Sequence, residues 1–371
     1  MKVNTISLNS VRLNTIALNH IGEIRSGGGA SKPSPIPQWI REHVVFYYDV
    51  KKQGATNETL KESAYLQDLS GKGRRMKLNN FLFAEMSGVG GYNDNFLKWN
   101  SPSSYGNVEK VSSSEVVIKS LLGVQKGVLY IDLSIKAVNI RCHITGITKE
   151  IEGKFVFQYN KQGNKHIILK DGDFEFDSES LSLGSENGWV GFTTLEVIDN
   201  CNITITQIPE YPGAVVTDGV DDYGLVENLS SGVKMLFMTV NPIENFNQFK
   251  NYYSQMRNAV SQPFCVYSTP VGIAYNYSNP NGITYIDGVL NESIGCAKLW
   301  GLKHTITIVN DTVNPTNSGQ PAFSSREEWR KGYYSKIAFY NSIAFDSIPT
   351  EADGFTEQEL IDYVLTNIIG Q

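Results

Sequence analysis

The densest run of potential chemistry is Asp171-Gly172-Asp173-Phe174-Glu175-Phe176-Asp177-Ser178-Glu179. On a strand, successive side chains alternate, so the five carboxylates share one face while Phe174 and Phe176 take the other. Two carboxyl groups ~5–5.5 Å apart can cleave a glycosidic bond with retention. Glu175 and Glu179 are the right types, but residues i and i+4 on a regular strand lie ~13 Å apart, so a bulge or bend would be needed. The plainer expectation is a solvated acidic face after an Asp-Gly turn, with a bound cation as an alternative. A second acidic group is Asp218, Asp221 and Asp222 around Gly219. Hard cations such as calcium want several oxygens, and Asp-Gly sequences also build turns, so both readings stay open here. Asp287-Gly288 reads as a hairpin turn.

Other chemistries lack their patterns. His20, His43, His143, His166 and His304 show no ligand spacing, and no Gly-x-Ser-x-Gly elbow accompanies them. Gly88-Val89-Gly90-Gly91 is not followed by the Lys-Ser/Thr of a phosphate loop. Cys142, Cys201, Cys265 and Cys296 are widely spaced, so free thiols are expected in place of a zinc site, and a disulfide is possible but not indicated. Aromatic side chains offer stacking faces for sugars. Tyr275, Tyr277 and Trp300 are the glycan-binding candidates; Tyr252, Tyr253, Tyr333, Tyr334 and Trp329 are also available. Trp39, Trp99 and Trp189 are expected to pack in the interior.

The elements that must carry these residues are mostly strands. Runs such as Val44–Val50, Val128–Leu133, Lys154–Tyr159, His166–Lys170, Asn202–Thr206, Val233–Met238, Gly272–Tyr277, Ile283–Asp287 and Thr305–Val309 alternate with Gly, Asn, Asp and Ser clusters. The 33 Gly and 32 Asn each at least equal the Lys+Arg total of 32, a turn-rich composition. A length of 371 residues suggests about two domains at ~150 residues each. The net charge of −6 argues against a nucleic-acid partner. No stretch approaches ~18 apolar residues, so membrane insertion is not expected. One helix is legible: Thr356-Glu357-Gln358-Glu359 is a capping box, followed by an apolar stripe at Leu360, Ile361, Val364, Leu365 and Ile368.

The chain opens with a five-residue period. Its apolar positions are Val3, Ile6, Leu8, Val11, Leu13, Ile16, Leu18 and Ile21. Their alternating steps of three and two fit neither a helix nor a strand. Twenty residues cannot bury a stacked face alone, so residues 1–24 are expected to dock onto other chains or to oligomerise, with a disordered tail as the alternative. A charged region followed by an apolar core is missing from Met1–Ile24, so a secretory signal is not expected. Residues 25–37 then read as a Gly/Ser/Pro tether.

Tyr47-Tyr48-Asp49, Asp68-Leu69-Ser70-Gly71-Lys72-Gly73, Asp218-Gly219-Val220-Asp221-Asp222-Tyr223-Gly224, Ile286-Asp287-Gly288-Val289, Ile337-Ala338-Phe339-Tyr340 and Phe355–Leu360 occur in a telling order. That order resembles concanavalin A-like (laminin-G-like) jelly-roll modules. The resemblance covers 38–102 and 211–371, and implies an all-β jelly-roll with a short C-terminal helix. Residues 103–210 fall outside it and read as a second, small β-sandwich inserted into the first. Such modules often bind calcium, which would fall to Asp218, Asp221 and Asp222. Some retaining glucanases of this fold carry a Glu-x-Asp-x-Glu motif like that at Glu175–Glu179, but in the jelly-roll itself.

The whole layout, from Leu-Asn-Thr-Ile pentads to Asp-Gly-Val-Asp-Asp-Tyr-Gly, is similar to structural proteins of phages and prophages of Bacteroides-type bacteria, including crAss-like phage fibres. That similarity implies a non-enzymatic head or tail fibre or decoration on the virion surface. Its partners would be capsid, portal or tail proteins, other copies of itself (a trimer favoured), and a host surface glycan. The alternatives are a glycoside hydrolase or depolymerase using Glu175 and Glu179, and a bacterial glycan-binding module.

Overall fold

The computed structural model describes residues 34–132, 138–159, 165–177, 188–229, 232–244, 250–256, 265–269, 272–275, 283–291, 301–310, 318–324 and 334–370. The pentad positions Val3, Ile6, Leu8, Val11, Leu13, Ile16, Leu18 and Ile21 lie outside them. The described chain is all-β, antiparallel and sandwich-like, with a short helix near its C-terminus. It divides into two compact units, one of 1–83, 87–89 and 213–371, the other of 84–86 and 90–212.

The first unit has two sheets. One is eight-stranded, in the order Val289–Leu290, Ile283–Ile286, His304–Val309, Met235–Pro242, Ile337–Phe345, Val215–Val216, Gly88–Val89, with Val44–Asp49 also pairing to Ile337–Phe345. The other is seven-stranded: Gly272–Tyr275, Cys265–Thr269, Lys250–Met256, Ser318–Phe323, Tyr223–Val226, Met76–Asn79, Tyr65–Leu66. Phe46, Tyr48, Met238 and Val240 of the first sheet share a core with Val226, Tyr252, Tyr253 and Phe323 of the second.

The eight-stranded sheet has a covered back as well. Met235, Phe237, Ile343 and Phe345 pack beneath helix α1 (Ile36–His43) and the C-terminal helical segment that carries Leu360, Ile361 and Val364. Burial on both faces is why Val44–Asp49 and Met235–Pro242 read as continuous apolar runs with no alternation.

Helix α1 corrects the tether reading. Ile36 and Pro37 do not belong to a tether: they are buried at the start of α1, beside Trp39 and Ile40. Proline suits a first helical turn, because the N–H it lacks would be unpaired there anyway. Helix α2 (Asn57–Ser63) was also hidden in the sequence; its cap is Thr56, whose hydroxyl accepts from the Thr59 N–H. Helix α3 (Glu357–Val364) starts on the expected capping box. Thr356 Oγ1 accepts from Glu359 N–H at 3.2 Å, and Glu359 Oε2 accepts from Thr356 N–H at 2.7 Å. The Asp68–Gly73 motif is a backbone organiser. Asp68 Oδ1 accepts from the N–H of Tyr47 (3.0 Å) and Ser70 (2.9 Å), and Oδ2 from Arg74 N–H (3.0 Å).

The second unit is a smaller sandwich. Its four-stranded sheet runs Lys165–Ile168, Phe155–Tyr159, Trp189–Thr194, Leu129–Asp132. Its five-stranded sheet runs Gly172–Asp177, Asn139–Thr145, Ile203–Gln207, Glu115–Leu121, Gly106–Lys110. Here one face is wet, and Asn139–Thr145 alternates between exposed and buried along its whole length. Phe157 and Phe176 stack at 3.8 Å between ring centroids in the core. The boundary expected at 103 lies earlier, because Phe96 and Trp99 are core residues of this unit. Trp99 Nε1 donates to Asp94 Oδ1 at 3.1 Å, and Gln207 Nε2 donates to the Asp94 carbonyl at 3.0 Å.

Candidate functional site

The three aspartates of the Asp218–Asp222 loop converge. One carboxylate oxygen from each of Asp218, Asp221 and Asp222 lies within 4.8 Å of the others. The loop is short and leads from strand Val215–Val216 into strand Tyr223–Val226. Gly219 makes the turn possible, at φ +78°, a backbone conformation costly for residues with a Cβ. Asp218 holds the turn from inside: its Oδ1 accepts from Val220 N–H at 2.8 Å and Asp221 N–H at 3.3 Å. Asn80 Nδ2 fixes the far side by donating to the Asp221 carbonyl at 3.0 Å.

Exposure grades across the set. Asp221 is exposed, Asp218 half-buried, and Asp222 fully buried at 0%. Asp222 Oδ2 accepts from Asp218 N–H at 2.9 Å, while Asp222 Oδ1 is buried without a hydrogen-bond partner. Burial pushes the Asp222 carboxyl up to about 7; Asp218 and Asp221 add to the rise, and the Ser87 hydroxyl and Asp218 N–H oppose it. Lys336, which packs beside the loop, does not neutralise the group. The Lys336 backbone and Cβ pack on Gly219, but its Nζ pairs with Glu244 at 3.3 Å. Tyr223 and Tyr334 sit beside the loop with ring centroids 6.1 Å apart. Burial raises the Tyr334 hydroxyl above the usual phenol range, and Asp221 adds to the rise. Three carboxylate oxygens this close could serve a hard cation, or could simply line a turn.

The acidic strand behaves differently. Gly172–Asp177 is the edge strand of its sheet, paired with Asn139–Thr145. Phe176 is buried and Asp173 and Glu175 are exposed, as the alternation predicts. Cross-strand, Asp173 faces His143, Glu175 faces Arg141 and Asp177 faces Asn139. His143 Nδ1 meets Asp173 Oδ1 at 2.5 Å, and Asp171 Oδ1 accepts from Ile147 N–H at 2.8 Å. The pairing register runs unbroken from Gly172 to Asp177, so no bulge shortens this stretch. Glu179 lies outside the described residues.

Among the glycan candidates, Tyr275 ends strand Gly272–Tyr275, and Tyr277 and Trp300 lie outside the described residues. Tyr252 and Tyr253 are core residues at 0% exposure, as are Trp39 and Trp99 near it, so none of the four is a surface platform. Trp189 is half-buried against Tyr130 at 5.6 Å. Cys142 and Cys201 are free; burial pushes the Cys142 thiol up to about 12. Asp287-Gly288 forms the hairpin turn, with both residues at positive φ.

Sequence reasoning missed the His–Asp pairs. His43 meets Asp346 at 3.1 Å and His304 meets Asp287 at 2.6 Å, alongside His143–Asp173. Local spacing carries no trace of partners 303, 17 and 30 residues away. The cross-strand rule would have found His143–Asp173 once the register was known.

No protein-family model matches the chain, and no curated relative matches it. Among solved structures, a Trypanosoma rangeli sialidase in complex with sialic acid aligns at 9% identity and a TM-score of 0.34. The alignment covers 97% of this chain but 38% of the sialidase. A likeness that low carries no argument.

Proposed function

We propose that this chain is a non-enzymatic surface protein of a phage virion, a head or tail fibre or decoration. Residues 1–24 dock it to capsid, portal or tail proteins and join it to other copies, as a trimer. Residues 25–33 space the body from that anchor, and the body binds a glycan on the host surface. The observation that carries this reading is the five-residue apolar period at Val3–Ile21, followed by a Gly/Ser/Pro run ahead of a folded β body. Such a period cannot bury its apolar side within so short a segment, so it needs partner chains. A β-sandwich with polar turn residues and nearby tyrosines is a suitable frame for sugar recognition, which combines ring stacking with a few placed hydrogen bonds.

The hydrolase alternative has less support. Glu175 sits opposite Arg141 on a regular edge strand, and its neighbour Asp173 is engaged by His143.

The test compares the full chain with a variant lacking residues 1–24, by light scattering after size-exclusion chromatography. The full chain is expected to run as a trimer and the truncated chain as a monomer. A truncated chain that assembles equally well removes the docking role. A glycan array probed with the same two proteins tests the body; silence across bacterial surface glycans would leave display without sugar binding.

A further inference from the structure

We propose that the outer edge of the eight-stranded sheet, at Ile283, Val289 and Leu290, is the surface on which residues 3–21 of a neighbouring copy dock. This docking rests on the reading of residues 1–24 as the segment that joins copies, and names the surface that receives it. The back of the sheet is roofed by α1 and the C-terminal helical segment, and the roof stops short of this edge. Val309 pairs with Ile283, and Tyr285 pairs with Leu290, so these four side chains share the back face. Val309 and Tyr285 are 4% and 8% exposed, whereas Ile283 and Leu290 are 42% and 48% exposed. Val289, on the opposite face of the last strand, is 70% exposed.

The edge is also unguarded. Open sheet edges are usually blunted by a charge, a proline or a bulge. Between Ile283 and Leu290 the one charged side chain is Asp287, and it is spent on its own chain. Asp287 Oδ1 accepts from Thr305 N–H at 2.8 Å, and Oδ2 meets His304 Nδ1 at 2.6 Å. The stretch holds no proline, and both of its ladders run without a register shift. Among the described residues, no strand pairs with the outer side of Val289–Leu290. An open apolar edge of this kind is a template for another chain.

The occupant follows from the chain that precedes this layer. The described body begins at Ser34, and Ile36 packs in the same cluster as Tyr285 and Val309. The chain therefore enters the body on the face where cover is missing. Extended, the stretch from Ile21 to Ser34 spans up to ~45 Å. That exceeds the ~35 Å across an eight-stranded sheet, so it can reach the edge of an adjoining copy. Residues 3–21 bring aliphatic side chains that match the exposed Ile, Val and Leu. Residues 1–22 also hold Lys2 and Arg12 and no acid, whereas the whole chain is at −6, so charge favours the approach. Each copy laying its segment on the edge of the next is a head-to-tail contact that can close as a ring.

The experiment measures the mass of the full chain by light scattering over a dilution series, beside Leu290→Asp, Ile168→Asp and the variant lacking residues 1–24. A charge placed in an apolar contact must be desolvated, so Leu290→Asp is expected to raise the dissociation constant of the assembly at least about tenfold. Ile168→Asp is expected to assemble as the wild type; Ile168 is also an exposed apolar residue on an edge strand, but in the second unit. Circular dichroism checks that Leu290→Asp folds, and if it does not, Val289→Lys reads the same edge. A folded edge variant that assembles like the wild type, while the truncated chain is monomeric, would overturn this surface and leave the anchor reading standing. So would an Ile168→Asp variant weakened as much as Leu290→Asp. A truncated chain that assembles, or a monomeric wild type, would overturn both.

Discussion

Two acidic constellations in this chain have nearly the same composition and opposite physical situations. On the edge strand Gly172–Asp177, the acids stand in a row on the wet face of a sheet, and Asp173 finds a partner across the ladder in His143. In the Asp218–Asp222 loop, the acids turn inward on one another, and Asp222 is pressed into the interior with one oxygen unpaired. A strand separates its same-face side chains by two residues of extended rise, whereas a turn folds the chain back and lets neighbours in sequence converge. Density of carboxylates in the sequence is therefore a poor guide to a site. What matters is whether the backbone beneath them is extended or turned.

The comparison can be broken from the protein side. The largest effect is expected beneath the acidic strand. Phe176→Ala should destabilise the second unit by about 3–5 kcal/mol, read by urea unfolding, because Phe176 is 1% exposed and stacks on Phe157. A loss under about 1 kcal/mol would mean that the strand is not anchored by its buried face.

Next comes Asp218→Ala, which strips the acceptor from the N–H groups of Val220 and Asp221. A loss of about 1–2 kcal/mol in the first unit is expected by thermal melting. An unchanged melting point would show that Gly219 and the flanking strands shape the loop by themselves.

A third carboxylate, neither in the strip nor in the loop, calibrates what a purely local hydrogen bond does. The Thr356 N–H and hydroxyl hold Glu359 below its ordinary value of 4.5. A lowered carboxylate contributes stability that is full above the ordinary value and is lost as pH falls through the folded one. Glu359→Gln should therefore shrink the drop in melting temperature between neutral and strongly acid pH. An identical drop in the variant would place the acid sensitivity elsewhere.

The smallest effect belongs to the strip itself. Glu175→Gln should leave stability within about 0.5 kcal/mol of wild type, because the side chain is exposed. Its behaviour toward polysaccharide should also be unchanged. A glycosidase activity in the wild type that Glu175→Gln abolishes would return the strip to the centre of the molecule.

Local pattern carried a good deal of this architecture. Val44–Asp49, Phe155–Tyr159 and His304–Val309 were legible as strands, and the Thr356–Glu359 capping box placed α3 to the residue. The signals that failed were those with no local mark. Ile36–His43 opens on a proline-rich run and is helical because Ile36, Trp39 and Ile40 find an apolar sheet face to cover. Phe96 and Trp99 carry nothing in their spacing to say which core they enter. Tyr252 and Tyr253 were available as stacking faces, and the packing of the two sheets of the first unit places them in its core.

By itself, then, the sequence determined the β character, the turns and the capped helix, because alternation, Asp-Gly pairs and capping boxes act over a few residues. It also determined that the acids of Gly172–Asp177 would alternate with phenylalanine. Only the tertiary structure decided that Asp222 is buried with an unpaired oxygen, that Lys336 turns to Glu244, and that His143 meets Asp173. Desolvation and cross-strand register depend on which distant segments pack together, and no short window of sequence holds that information.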